Sequence, residues 1–164
     1  MEVPAVELSR TITVDVNGSS YEREVDARRL LIHLIRDDLD LTGSHVGCDT
    51  GNCGACSIIL DGTLVKSCML LAVQVDAATI ETNEGLAQQE ELSPLQQAIS
   101  DHHGLQCGYC TPGMLMSGAT LLRENPRPSD EEIARAIQGN ICRCTGYWNI
   151  FKAIKAASGQ EVEA

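Results

Sequence analysis

No apolar run in this sequence reaches the roughly 18 residues that a membrane-spanning helix requires, so no span is expected. The opening Met1-Glu2-Val3-Pro4-Ala5-Val6-Glu7 is acidic and lacks an apolar h-region, so no secretory signal is expected and the chain reads as cytoplasmic. Positive charge is scarce: 12 Lys and Arg stand against 23 Asp and Glu, a net charge of −11. Phosphate binding needs clustered Lys and Arg, which excludes nucleic acid as a partner and leaves the acidic surface a solubility role. Aromatics make up only 3%: Trp148, Phe151 and three tyrosines. What remains is ordinary for a globular protein, with 43% hydrophobic residues over 164 positions, enough for one domain or two small ones with a real core.

The informative residues are eight cysteines: Cys48, Cys53, Cys56, Cys68, Cys107, Cys110, Cys142 and Cys144. Without an export signal, disulfides explain them poorly, because the cytosol keeps thiols reduced. Eight thiols at tight spacings read as metal ligands, and four per site makes two sites.

The chain divides into two halves. Residues 11–82 read as β-rich. Thr11-Ile12-Thr13-Val14-Asp15-Val16 alternates, with Ile12, Val14 and Val16 on one face. Asn17-Gly18 is a hairpin signal, and Tyr21–Val25 returns. Leu30, Leu31, Leu34 and Ile35 recur at helical spacing, which predicts an amphipathic helix over 27–38. Residues 57–60 and 63–66, joined by Asp61-Gly62, predict a second hairpin, and 79–82 a last strand. The expectation is a small α+β sheet with a helix across one face in domain 1–82. Residues 83–92, with Gln88-Gln89-Glu90-Glu91, read as a linker or a solvated surface loop. Residues 93–164 read as all-α. Ser93-Pro94-Leu95-Gln96 and Ser129-Asp130-Glu131-Glu132 are capping boxes, Thr111-Pro112 opens a helix that Pro126 and Pro128 end, and Ile150, Ile154 and Ala157 mark a fourth. Helix, Cys-x-x-Cys, helix is followed by helix, Cys-x-Cys, helix. That near-repeat predicts two hairpins facing each other in a four-helix bundle, with the cysteine pairs meeting at one end.

Cys48-x4-Cys53-x2-Cys56, with Cys68 further on, has the plant-type [2Fe–2S] spacing rather than the paired Cys-x2-Cys of zinc sites. Gly47, Gly51 and Gly54 let the loop turn sharply, so that loop N–H groups can point at sulfur. For Cys107, Cys110, Cys142 and Cys144, spacing alone leaves several readings open: a redox dithiol, a four-thiolate zinc site, or a second cluster. A Rieske centre is excluded, because none of His33, His45, His102 and His103 sits in a Cys-x-His pair. His102 and His103 read as helix-end residues that favour the dipole. Arg143 reads as a charge that offsets its neighbouring thiolates or contacts a partner, and Trp148 and Phe151 as core or interface anchors.

The stretches Val46-Gly47-Cys48-Asp49-Thr50-Gly51-Asn52-Cys53-Gly54-Ala55-Cys56, Gly104 to Met114 and Gly139-Asn140-Ile141-Cys142-Arg143-Cys144-Thr145-Gly146-Tyr147 resemble the iron–sulfur signatures of the molybdenum hydroxylases, the xanthine oxidase family. The resemblance covers roughly residues 10–157. The Gly-Cys-Asp-Thr loop and Val65-Lys66-Ser67-Cys68-Met69 look most like the small chain of aerobic carbon monoxide dehydrogenase, although Ser57 stands where threonine is common. The resemblance implies a plant-type ferredoxin-like β-grasp domain followed by an all-α [2Fe–2S] domain, and no substrate site or catalytic residue in this chain. It implies that Cys48, Cys53, Cys56 and Cys68 bind the cluster nearer a flavin, and that Cys107, Cys110, Cys142 and Cys144 bind the cluster nearer molybdenum. It also implies that Gln106 and Cys144 lie against a pterin. The partners it implies are a large subunit with a molybdopterin cytosine dinucleotide-type cofactor and a medium FAD subunit, in a dimer of heterotrimers. Carbon monoxide is the first expected substrate; aldehydes, N-heterocycles and aromatic thioesters remain open. Two other functions remain: a free-standing ferredoxin-like carrier, and a zinc-stabilised interaction module.

Overall fold

Asn17 and Gly18 both adopt positive φ (54° and 78°), the mirror-image turn that matches strand twist. They close an antiparallel hairpin of β1 (Ser9–Val16) and β2 (Ser19–Asp26). Asp61 and Gly62 close a second, of β3 (Ser57–Leu60) and β4 (Thr63–Lys66), in the same way, with φ 47° and 81°. In this computed structural model, which describes residues 8–87 and 91–162, a short β5 (Thr79–Glu81) joins the hairpins into one sheet of order β2-β1-β5-β3-β4. β5 runs parallel to β1, with Val16 opposite Ile80, and antiparallel to β3, with Leu60 opposite Ile80. The acidic opening 1–7, residues 88–90 of the expected linker, and residues 163 and 164 lie outside the described residues.

The predicted helix over 27–38 begins only at Leu31, as α1 (Leu31–His33), and continues as a π-helical turn, Leu34–Asp38. The reason is long-range. Leu31 N–H donates to Leu70 C=O (2.8 Å) and Ala72 N–H to Arg29 C=O (2.7 Å), which holds Leu30 extended in a bridge to Leu71. Leu31, Leu34 and Ile35 pack with Ile12, Val14, Ile58 and Ile80 in one apolar core. Each such fully buried side chain contributes about 1.5–3 kcal/mol.

The second half is helical throughout its regular elements: α2 (Pro94–Asp101), α3 (Thr111–Glu124), α4 (Asp130–Ile137) and α5 (Trp148–Ala157). Both predicted capping boxes form, Ser93 with Gln96 and Ser129 with Glu132. The two helical hairpins face each other, α2 on α5 and α3 on α4, around Leu95, Ile99, Met114, Ile133, Ile150 and Ile154. Ile59 of β3 and Leu86 also belong to this core, so the sheet and the bundle share an apolar seam. Leu86 ends a 3-10 turn (Asn83–Leu86) at the start of the expected linker. Arg123 on α3 reaches across to Glu81 on β5 in a two-pronged ion pair.

Candidate metal centres

The first thiol cluster is built by a loop between α1 and β3 and closed from the end of β4. Gly51 and Gly54 take positive φ there (73° and 77°). Gly47 serves differently: a Cβ at that position would stand 2.8 Å from Cys53 Sγ, so it is room rather than backbone freedom that requires glycine. The backbone N–H groups of Thr50 and Cys53 donate to Cys48 Sγ at 3.4 and 3.3 Å. The Thr50 side chain first, and then these two N–H groups, hold the Cys48 thiol down to about 6. Burial pushes Cys56 up to about 11, beside Cys68. Cys56 and Cys68 are both buried and pack on Ile32 of α1, so the fourth thiol is set by the sheet–helix packing rather than by the loop. Lys66 Nζ donates to Gly51 C=O at 2.6 Å and ties the loop to β4.

The second cluster lies at one end of the bundle, where the α2–α3 and α4–α5 loops meet as predicted. Cys107 and Cys144 are exposed, with Sγ atoms 3.4 Å apart. Cys110 and Cys142 are neighbours deeper in the bundle; burial, with Cys142 adding to it, pushes Cys110 up to about 12. Burial also opposes ionisation of Cys142, but hydrogen bonds from Thr145 outweigh it and lower that thiol. A backbone hydrogen bond from Tyr109 lowers Cys107. Tyr147 braces the same loop, its hydroxyl accepting from Cys142 N–H at 2.9 Å. Its left-handed backbone (φ 68°) starts α5 directly after the loop.

Among the described residues no three His, Cys, Asp or Glu side chains converge on a single ion. The thiols stand as neighbouring pairs instead: Cys48 with Cys53, Cys56 with Cys68, Cys107 with Cys144, and Cys110 with Cys142. Two pairs of soft sulfur donors per site suit a two-iron core, which takes two protein ligands on each iron. Were all four thiols of a site to hold such a core, its binding would have to displace the protons that burial retains on Cys56 and Cys110.

The two thiol clusters adjoin. Tyr109, between Cys107 and Cys110, donates its hydroxyl to Val46 C=O (2.6 Å), and its own C=O lies 2.9 Å from His45 Nδ1. Ile141 N–H donates to Cys53 C=O at 2.8 Å. Gln106 is exposed beside Cys144 and donates its side-chain N–H to the Cys144 carbonyl at 3.2 Å. Arg143 is exposed, His102 caps the end of α2, and Trp148 is 60% exposed with its ring stacked on Phe151. Asn140, Ser117, Thr145 and Tyr147 were not singled out by sequence reasoning, and only the Gly139–Tyr147 signature pointed near them.

Two family descriptions match the chain: "2Fe-2S iron-sulfur cluster binding domain" over residues 14–98 and "[2Fe-2S] binding domain" over residues 82–155. The chain is 51% identical over 153 residues to caffeine dehydrogenase subunit gamma of Pseudomonas sp. (strain CBB1), covering 92% of each. It is 50% identical to the nicotine 6-hydroxylase small subunit of Paenarthrobacter nicotinovorans, over 91% of this chain and 90% of that one. Among solved structures, quinoline 2-oxidoreductase from Pseudomonas putida 86 matches with a TM-score of 0.90 and 42% identity, over 93% of this chain and 96% of that one.

Proposed function

The chain belongs to the small [2Fe–2S] subunits of the xanthine oxidase family of molybdenum hydroxylases, and from that premise we propose that it is the electron relay of an N-heterocycle hydroxylase. The observation that carries the reading is the pair of adjoining four-thiol sites, one in each half of the chain, joined by the Ile141–Cys53 hydrogen bond. Cys48, Cys53, Cys56 and Cys68 are the ligands of the first cluster, and Cys107, Cys110, Cys142 and Cys144 those of the second. When bound, each [2Fe–2S] cluster supplies a one-electron carrier, so the two electrons of a substrate oxidation pass singly.

This chain's residues hold, shield and orient. The N–H groups on Cys48 stabilise negative charge at that sulfur. Gln106 and the exposed Cys144 present polar groups outward at the bundle end, toward a pterin in a large molybdopterin subunit. The first cluster serves a medium subunit that carries FAD, and the assembly is a dimer of heterotrimers. Residues 1–82 are the first cluster domain and residues 93–164 the second, with 83–92 linking them. Eight cysteines, none in a disulfide, suit the cytoplasm. Among the described residues no helix is long and apolar enough to cross a membrane.

The caffeine, nicotine and quinoline named for the relatives favour an N-heterocycle over the carbon monoxide that the loop resemblance suggested. The test is metal and flavin analysis of the native complex, recovered through a tag on this chain, followed by substrate assays. The expected result is about four iron per chain with about one molybdenum and one FAD, and hydroxylation of a pyridine, quinoline or purinedione. Iron without molybdenum or flavin would make the chain a free carrier. Turnover of carbon monoxide or aldehydes alone would replace the substrate class.

A further inference from the structure

Asn140 is 4% exposed and lies where α4 has ended and the chain turns toward Cys142. Its side-chain N–H donates to Ser117 Oγ at 2.7 Å, and Ser117, on α3, is itself buried. Its Oδ1 is buried without a hydrogen-bond partner. That oxygen faces two glycines. A Cβ on Gly54 would stand 2.2 Å from it, and a Cβ on Gly113 would stand 2.6 Å from it. Gly54 lies between Cys53 and Cys56, and Gly113 lies in the first turn of α3, three residues after Cys110. Gly113 also touches Gly54 directly, since its Cβ would meet Gly54 C=O at 2.2 Å. Three backbone segments that carry thiols of both sites therefore converge on one amide. The next residue, Ile141, makes the hydrogen bond to Cys53 C=O.

A buried carbonyl oxygen with no N–H or O–H donor is unfavourable as mere filling. Its position is explained by shape: a short flat amide, anchored at its nitrogen, that rests against two Cα–H groups where any side chain would separate the loops. We propose that Asn140, held by Ser117, is a positioning residue that sets the spacing of the two clusters and keeps the Ile141–Cys53 link closed. This inference rests on the two-cluster relay reading.

The test uses the complex purified through a tag on this chain, with Gly113→Ala, Ser117→Ala and, as a core control away from the seam, Ile154→Val. Each is assayed for iron. Each is then fully reduced and examined by electron paramagnetic resonance for the magnetic splitting between the two clusters, whose dipolar part falls with the cube of their separation. Inter-cluster electron transfer is followed after pulsed reduction. Gly113→Ala should reduce the splitting and slow transfer several-fold while each cluster keeps its own signal. Ser117→Ala should act in the same direction but less, and it carries the test where Gly113→Ala does not assemble. Ile154→Val should lower thermal stability and leave the splitting unchanged. Fully loaded seam variants with wild-type splitting and transfer rate would overturn the assignment while leaving the relay intact. A wild-type complex with about two iron per chain and one reduced-cluster signal would overturn the relay, and the assignment with it.

Discussion

Replacing Gly54 by alanine should destabilise the chain by more than replacing Gly62, although both glycines have nearly the same backbone conformation. Their φ angles are 77° and 81°. A Cβ in that left-handed region costs about 1–2 kcal/mol by its own backbone contact. At Gly62 nothing else lies within 4 Å, so that is the whole cost. At Gly54 the new carbon would stand 2.2 Å from Asn140 Oδ1 and 2.6 Å from the backbone oxygen of Gly139. A backbone atom cannot swing aside, and overpacking of this kind adds about 1–3 kcal/mol, for a total of about 2–5 kcal/mol. For a chain of this size each kcal/mol lowers Tm by about 2–4 °C, so Gly62→Ala should lose about 2–8 °C and Gly54→Ala about 4–20 °C. The displaced Gly139–Asn140 segment leads directly to Cys142, so Gly54→Ala should also load less iron at both sites. The assay is the visible circular dichroism of the clusters on heating, with iron per chain, in matched complexes. Equal melting and equal iron for the two variants would refute the reasoning, because it would mean the seam can open freely.

Cys107→Ser should lower the iron from about four to about two per chain and remove one of two reduced-cluster signals, as counted by iron analysis and electron paramagnetic resonance. In the iron-stripped chain, Cys48 should be alkylated along a pH profile with a midpoint of about 6, while Cys56 and Cys110, held up to about 11 and about 12, stay unreactive at neutral pH; mass spectrometry after a short iodoacetamide pulse reads this. Arg123→Ala should cost no more than about 1 kcal/mol, because its pair with Glu81 is half exposed; thermal melts should show the difference shrinking in high salt.

The Ile141–Cys53 bond and the contacts of Asn140 with Gly54 and Gly113 hold the thiol loops of the two halves against each other. Ile59 of β3 and Leu86 also lie in the helical core, so the two halves share apolar packing.

Much of this protein was legible because its signals are local. Asn17-Gly18 and Asp61-Gly62 specify their turns within two residues, and Ser93/Gln96 and Ser129/Glu132 cap their helices within four. Alternation put Ile12, Val14 and Val16 in the core, and cysteine spacing marked out the thiols that the fold brings together as neighbouring pairs. What tertiary structure alone decided is everything that joins distant segments. The helix expected from residue 27 starts at Leu31, because hydrogen bonds to Leu70 and from Ala72 outcompete a local helical turn. The parallel pairing of β1 with β5 unites residues more than 60 positions apart, and no local pattern encodes it. Gly47 reads in sequence as a source of backbone freedom, whereas in the fold it makes room for Cys53 Sγ. Asn140 carries no recognisable signal of its own. Its role exists only once Gly54, Gly113 and Ser117 have been brought around it, because contact between segments is a property of packing and not of spacing.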